Sequence, residues 1–116
     1  MRTRSPHTSR TRKAVAQLAP AQLHQHADEA ITVLKAMASR NRLMLLCELV
    51  QGERSVGDLA LALGLAQATV SQHLSLLRRD GVVSGRRAAQ TIYYRIDDPR
   101  VQALMTTLFK QFCVDD

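Results

Sequence analysis

From Ala21 onward, apolar residues recur at helical spacing along most of the chain. Leu23, Ala27, Ala30, Ile31 and Leu34 predict a first helix ending near Met37. Ser39 is a plausible N-cap for a second helix, whose Leu43, Leu46, Cys47 and Val50 follow the i, i+3, i+4, i+7 pattern up to a stop at Gly52. Ser55-Val56-Gly57-Asp58 has the form of a capping box. It opens a third helix with an apolar stripe of Val56, Leu59, Ala60 and Leu63, and Gly64 supplies the left-handed position at its end. A fourth helix runs from about Gln67 to Arg79, with Val70, Leu74 and Leu77 inward and Gly81 as its stop. The period then drops to that of strands. Val82 to Arg86 and Thr91 to Ile96 predict a hairpin, with Arg87 to Gln90 at its tip. Asp97-Asp98-Pro99 announces a last helix, with Val101, Leu104, Met105, Leu108 and Phe112 on its apolar face.

The expected fold is therefore mainly α with a small β-hairpin wing, in the order four helices, two strands, one helix. Leu59 to Leu77 holds two short helical segments around a Gly-containing turn, which is the shape of a helix–turn–helix. The first and last helices carry more apolar surface than a lone winged helix needs. Dimerisation through these two helices is the economical explanation, and a two-fold dimer matches a palindromic site.

Composition narrows the reading. A chain of 116 residues fits one domain with a modest core, and with aromatics at only 3% that core must be built from Leu, Val, Ala and Met. Residues 1–20 read as a disordered basic arm and 21–116 as a dimeric DNA-binding domain. Arg2, Arg4, Arg10, Arg12 and Lys13 precede any acid, whereas the rest of the chain is nearly neutral. Such an arm could contact phosphates, idle, or serve as an organellar transit peptide. No apolar run reaches the ~18 residues of a membrane span, and no secretory segment is evident, so no membrane partner and a cytoplasmic location are expected.

Arg78, Arg79, Arg86, Arg87 and Arg95 gather around the predicted wing, opposed within that stretch by Asp80. A focused positive patch favours a polyanion, and beside a helix–turn–helix that partner is double-stranded DNA. Gln67, Ala68, Thr69, Ser71, Gln72 and His73 open the fourth helix with side chains short enough for a major groove. Gln pairs bidentately with adenine, the Ala68 methyl suits a thymine, and Thr69 and Ser71 suit phosphates. His73 is either a structural or a base-reading histidine. Arg86, Arg87 and Gln90 can reach the neighbouring minor groove or its phosphates. No paired nucleophile and base, phosphate loop or cofactor motif appears, so neither an enzyme nor a cofactor is expected.

Two cysteines remain, Cys47 on the second helix and Cys113 at the end of the last. As residues alone they are either small buried hydrophobes or a reactive pair.

In SRNRLMLLCEL, SVGDLALALGLAQATVSQHLSLLRRDGVV and GRRAAQTIYYRI the chain resembles the ArsR/SmtB family of winged helix–turn–helix repressors, over about Ile31 to Cys113. The resemblance implies a homodimer that represses by binding an operator. Its metal-box version carries cysteines where this chain has Ser55 and Gly57. A second family metal site uses aspartate and histidines on the last helix; this chain has Asp97 and Asp98 there, but no histidine occurs after His73. No metal site is therefore expected. Cys47 and Cys113 are instead similar to the pair of the dithiol, sulfide- and redox-responsive branch (the BigR/SqrR/HlyU type).

That resemblance implies a switch. One thiolate is attacked by a reactive sulfur species or oxidant, and the second resolves the product as a disulfide or polysulfide bridge. A direct disulfide needs Cα atoms within about 7 Å, whereas a polysulfide spans more. The alternatives are a metalloid-sensing repressor using the same cysteines as soft ligands, and a constitutive DNA-binding protein with inert thiols.

Overall fold

The structure, a computed structural model, describes residues 18–113. Most of the basic arm, residues 1–17, lies outside them. The chain divides into two units after Ala30, and the core belongs entirely to the second, from Ile31 onward. Along the described residues the order is α1 (Pro20–Gln25), α2 (Ala27–Met37), α3 (Arg40–Leu49), β1 (Arg54–Ser55), α4 (Val56–Leu63), α5 (Gln67–Arg79), β2 (Val83–Ala88), β3 (Thr91–Ile96) and α6 (Pro99–Phe112). No helix among the described residues is long and apolar enough to cross a membrane.

The terminators expected from sequence are in place. Ser39 Oγ accepts from the Arg42 amide at 3.4 Å, and Ser55 Oγ accepts from the Asp58 amide at 3.0 Å. Gly64, with φ of +66°, closes α4 as the Leu65 amide donates back to Ala60 at 3.0 Å. Asp98 caps α6 by accepting from the Arg100 amide at 2.9 Å, with Pro99 in the first turn.

Three features differ from the sequence expectation, and the face that α2 turns to the core is a fourth that periodicity did not specify. The first helix is two: His26 interrupts it, and α1 buries no residue, so no packed face holds it continuous with α2. The inward face of α2 is Val33, Ala36 and Met37, whereas Ile31 and Leu34 point outward, 48% and 50% exposed. Arg54 and Ser55 form a strand, pairing antiparallel with Tyr94 and Tyr93, so the sheet has three strands in the order β1-β3-β2. Arg87 lies within β2 opposite Ile92, not at the tip, because the hairpin turns tightly through Ala89 and Gln90.

The core joins α2, α3, α4, α5, the sheet and α6. Leu45, Leu46, Leu59, Val70, Leu74, Leu77, Val82 and Val101 are fully buried in it. At about 1.5–3 kcal/mol for each large side chain removed from water, this cluster dominates the stability of the body. It also fixes α4 and α5 against each other, which holds the outer face of α5 at a set angle.

Candidate nucleic-acid interface and thiol cleft

The α5 helix has one face in the core and one in solvent. Val70, Leu74 and Leu77 anchor it, while Gln67, Ala68, Ser71 and Gln72 are exposed and Thr69 is half-buried. The Gln67 amide lies over the first turn of α4, where a Cβ on Gly57 would come within 3.7 Å of its Nε2. His73 is half-buried, and its Nδ1 is buried without a hydrogen-bond partner. The ring therefore sits between the two roles considered for it, partly packed but with one nitrogen unsatisfied.

In the wing, Gly85 is a glycine because a Cβ there would lie 3.1 Å from Tyr94 Cε1 and 3.2 Å from Ile92 Cγ2. Arg86 stands opposite Tyr93, with its guanidinium 4.9 Å from the ring centroid. Its Nε also donates to both Glu53 oxygens, at 3.0 and 2.8 Å. Those donated hydrogen bonds hold the Glu53 carboxyl below its ordinary range. Glu53 precedes β1, 33 residues before Arg86, and no periodicity links the two.

The arginine patch is therefore less naked than its sequence implies. Arg79 pairs with Asp80 at 3.6 Å and Arg95 with Asp97 at 3.3 Å, besides the Arg86–Glu53 pair. Among the described residues, the side chains of Arg78 and Arg87 have no such partner. Gln90 is exposed in the turn beside them.

On α3 and α6 the two cysteines are free thiols. Cys47 is half-buried and Cys113, at the C-cap of α6, is exposed. Both line one cleft of about 460 Å³ between the helices. Burial pushes the Cys47 thiol up, with Cys113 and Glu48 adding to the effect, so Cys47 is held in its protonated form. The helices are also tied by a hydrogen bond from Gln102 Nε2 to the Val50 carbonyl at 3.2 Å.

The positions compared with family metal sites are otherwise engaged. Ser55 caps α4, Asp97 pairs with Arg95, and Asp98 caps α6 while holding Arg100 at 2.7 Å. No three His, Cys, Asp or Glu side chains come together among the described residues.

Residues 39–84 match the model of the arsR family of bacterial regulatory proteins. The chain is 41% identical to the transcriptional activator HlyU of Vibrio cholerae over 92 residues, covering 79% of this chain and 85% of that protein. It superposes on the transcriptional repressor BigR from Xylella fastidiosa with a TM-score of 0.79 at 37% identity, over 84% of this chain and all of that one. A homodimeric winged helix–turn–helix DNA-binding domain from Mycobacterium bovis gives a TM-score of 0.68 at 33% identity, over 83% of this chain and 88% of that one. With the core-anchored α4–α5 unit and its three-stranded wing, these matches establish that the chain is a DNA-binding transcriptional regulator of the arsR family.

Proposed function

We propose that this chain acts as a homodimeric repressor on a palindromic operator and lets go when Cys47 and Cys113 become bridged. The observation that carries the reading is the shared cleft: residues far apart in sequence, on two helices, bring both thiols to one place. Gln67, Ala68, Thr69, Ser71 and Gln72 meet the major groove, with His73 behind them. Arg86, Arg87 and Gln90 meet the adjoining minor groove or phosphates. A cytoplasmic setting keeps the thiols reduced until the inducer arrives.

The outward faces of the terminal helices supply the dimer interface. Ile31 and Leu34 on α2, with Leu104 and Phe112 on α6, leave an apolar surface that a second copy would cover. The Mycobacterium relative is described as homodimeric, which supports this arrangement.

Cys113, the exposed thiol, meets the reagent, and the protonated Cys47 resolves the product. A sulfenic acid on Cys113 condenses with Cys47 to a disulfide, releasing water. A persulfide there is displaced by Cys47, releasing hydrogen sulfide. Two persulfides condense to a trisulfide, again with loss of hydrogen sulfide. Each bridge pulls α6 toward α3 and shifts the helix that carries the dimer, changing the separation of the two α5 helices. A coupling of about 1–3 kcal/mol is enough to empty an operator.

The test is an operator-binding titration after reduction, peroxide, persulfide or arsenite treatment, repeated on Cys47→Ser and Cys113→Ser. Release only when both cysteines are present is the expected result. Equal affinity in every state marks a constitutive binder, and release by arsenite alone marks a metalloid sensor. Either outcome overturns the proposal.

A further inference from the structure

Cys47 stands at the border of two clefts of different character. One is mixed, with Val50 and Phe109 beside Glu48, Gln51, Arg54 and Thr106 around about 420 Å³, and the Arg54–Glu48 ion pair (2.8 Å) lies at it. The other is the thiol cleft. Apart from the two sulfurs, it is walled by Leu43, Met44, Met105, Leu108, Phe109 and Phe112, without a charged or hydrogen-bonding side chain among the described residues. Its volume, about 460 Å³, is that of a small-molecule pocket.

That lining discriminates among reagents. An anion entering the cleft loses its hydration and meets no counter-charge. Persulfides and inorganic polysulfides ionise readily near neutral pH, whereas hydroperoxides stay neutral. Hydrogen peroxide is neutral but has no apolar body to bury. A hydroperoxide on an alkyl or aryl group gains about fourfold in occupancy for each methylene it buries.

We propose that the cleft between α3 and α6 is a binding site for a neutral organic hydroperoxide with an apolar body, and that this class of oxidant drives the bridging. The inference rests on the thiol-switch reading above and names its reagent. With the body against Leu108 and Phe109, the peroxide group lies toward the cysteines. The Cys113 thiolate attacks the terminal peroxide oxygen, the O–O bond breaks, and the alkoxide takes a proton and leaves as the alcohol. The sulfur is oxidised by two electrons to the sulfenic acid as the peroxide is reduced. Cys47 sulfur then displaces the hydroxyl from Cys113 sulfur, and its own proton leaves with the hydroxyl as water.

Bridging of the reduced full chain is followed by mass spectrometry and thiol titration with hydrogen peroxide, a small organic persulfide, linear alkyl hydroperoxides of increasing length, cumene hydroperoxide, and a linear hydroperoxide ending in a carboxylate. The rate constant is expected to rise by up to about fourfold per methylene until the cleft is filled. The terminal carboxylate should cancel the gain. Met44→Glu, at a half-buried wall position outside the core cluster, should abolish the length dependence. The wild-type series alone decides the matter if that variant fails to fold. Rates independent of length, or highest with persulfide, overturn the cleft inference but leave the switch standing. No bridging with any reagent overturns both.

Discussion

Arg86 and Arg87 are adjacent in sequence but differ in what each can offer to DNA. Arg86 is committed to Glu53 and to the Tyr93 ring, whereas Arg87, on the opposite face of β2, has no ion-pair partner among the described residues. Arg87→Ala should therefore weaken binding to all sequences and reduce the salt slope by about one unit, measured by fluorescence anisotropy across a salt series. Glu53→Gln should have the reverse effect, freeing Arg86 and steepening the slope; an unchanged slope would place Arg86 away from the DNA. The same pair has a pH signature. Because Arg86 lowers the Glu53 pKa in the folded state, its stabilising contribution is complete above the ordinary glutamate pKa of about 4.3 and is lost as pH falls through the depressed value. Glu53 should thus titrate below that value by NMR, and return to it in Arg86→Ala. Five arginines near the wing were visible in the sequence. Which acids face them was not, because Glu53 reaches Arg86 only through the pairing of β1 with β3.

At the scale of elements, helix ends are local chemistry and were legible. Ser39, Ser55, Gly64, Asp98 and Pro99 act within a few residues of where they stand, through hydrogen bonds or backbone dihedrals set by the neighbouring chain. Asp98→Ala should cost about 1 kcal/mol in urea denaturation, from loss of the α6 cap. Loss of the Arg100 pairing should add to it, and Asp98→Asn should recover most of the cap. The wing was legible only in outline. The strands were marked by β-branched and aromatic residues, but their register and the tightness of the turn depend on Tyr94 packing over Gly85. Gly85→Ala should force that ring aside, speeding amide exchange in β2 and β3 at a cost of about 1–3 kcal/mol, while α3 to α5 exchange as before. The two-residue β1 carries no pattern long enough to be seen in sequence; it exists because β3 offers an open edge beside the start of α4.

At the scale of the whole molecule, α2 and α6 each have two apolar faces. One is spent on the core, through Val33, Ala36 and Met37 on α2 and Val101 and Met105 on α6. The other, with Ile31, Leu34, Leu104 and Phe112, is left in solvent by a single chain. Leu34→Glu should leave the fold intact, because the side chain is half exposed, and convert the dimer to monomer in sedimentation velocity. Operator affinity should fall with it, since one α5 helix alone reads one half-site. A Leu34→Glu dimer would remove this face from the interface. The stripe read from the first helix, with Ile31 and Leu34, lies on its outer side: periodicity reports that a face is apolar, not what covers it.

The sequence by itself determined the helix–turn–helix, the hairpin and last helix that follow it, the caps and the absence of cysteines at Ser55 and Gly57, because each is written in residues a few positions apart. Only the tertiary structure decided which face of α2 enters the core, that Glu53 restrains Arg86, and that Cys47 and Cys113 share one apolar cleft. Those relations join positions separated by tens of residues. They are set by how α3, α6 and the sheet close around a common core, and no local preference of the chain encodes that closure.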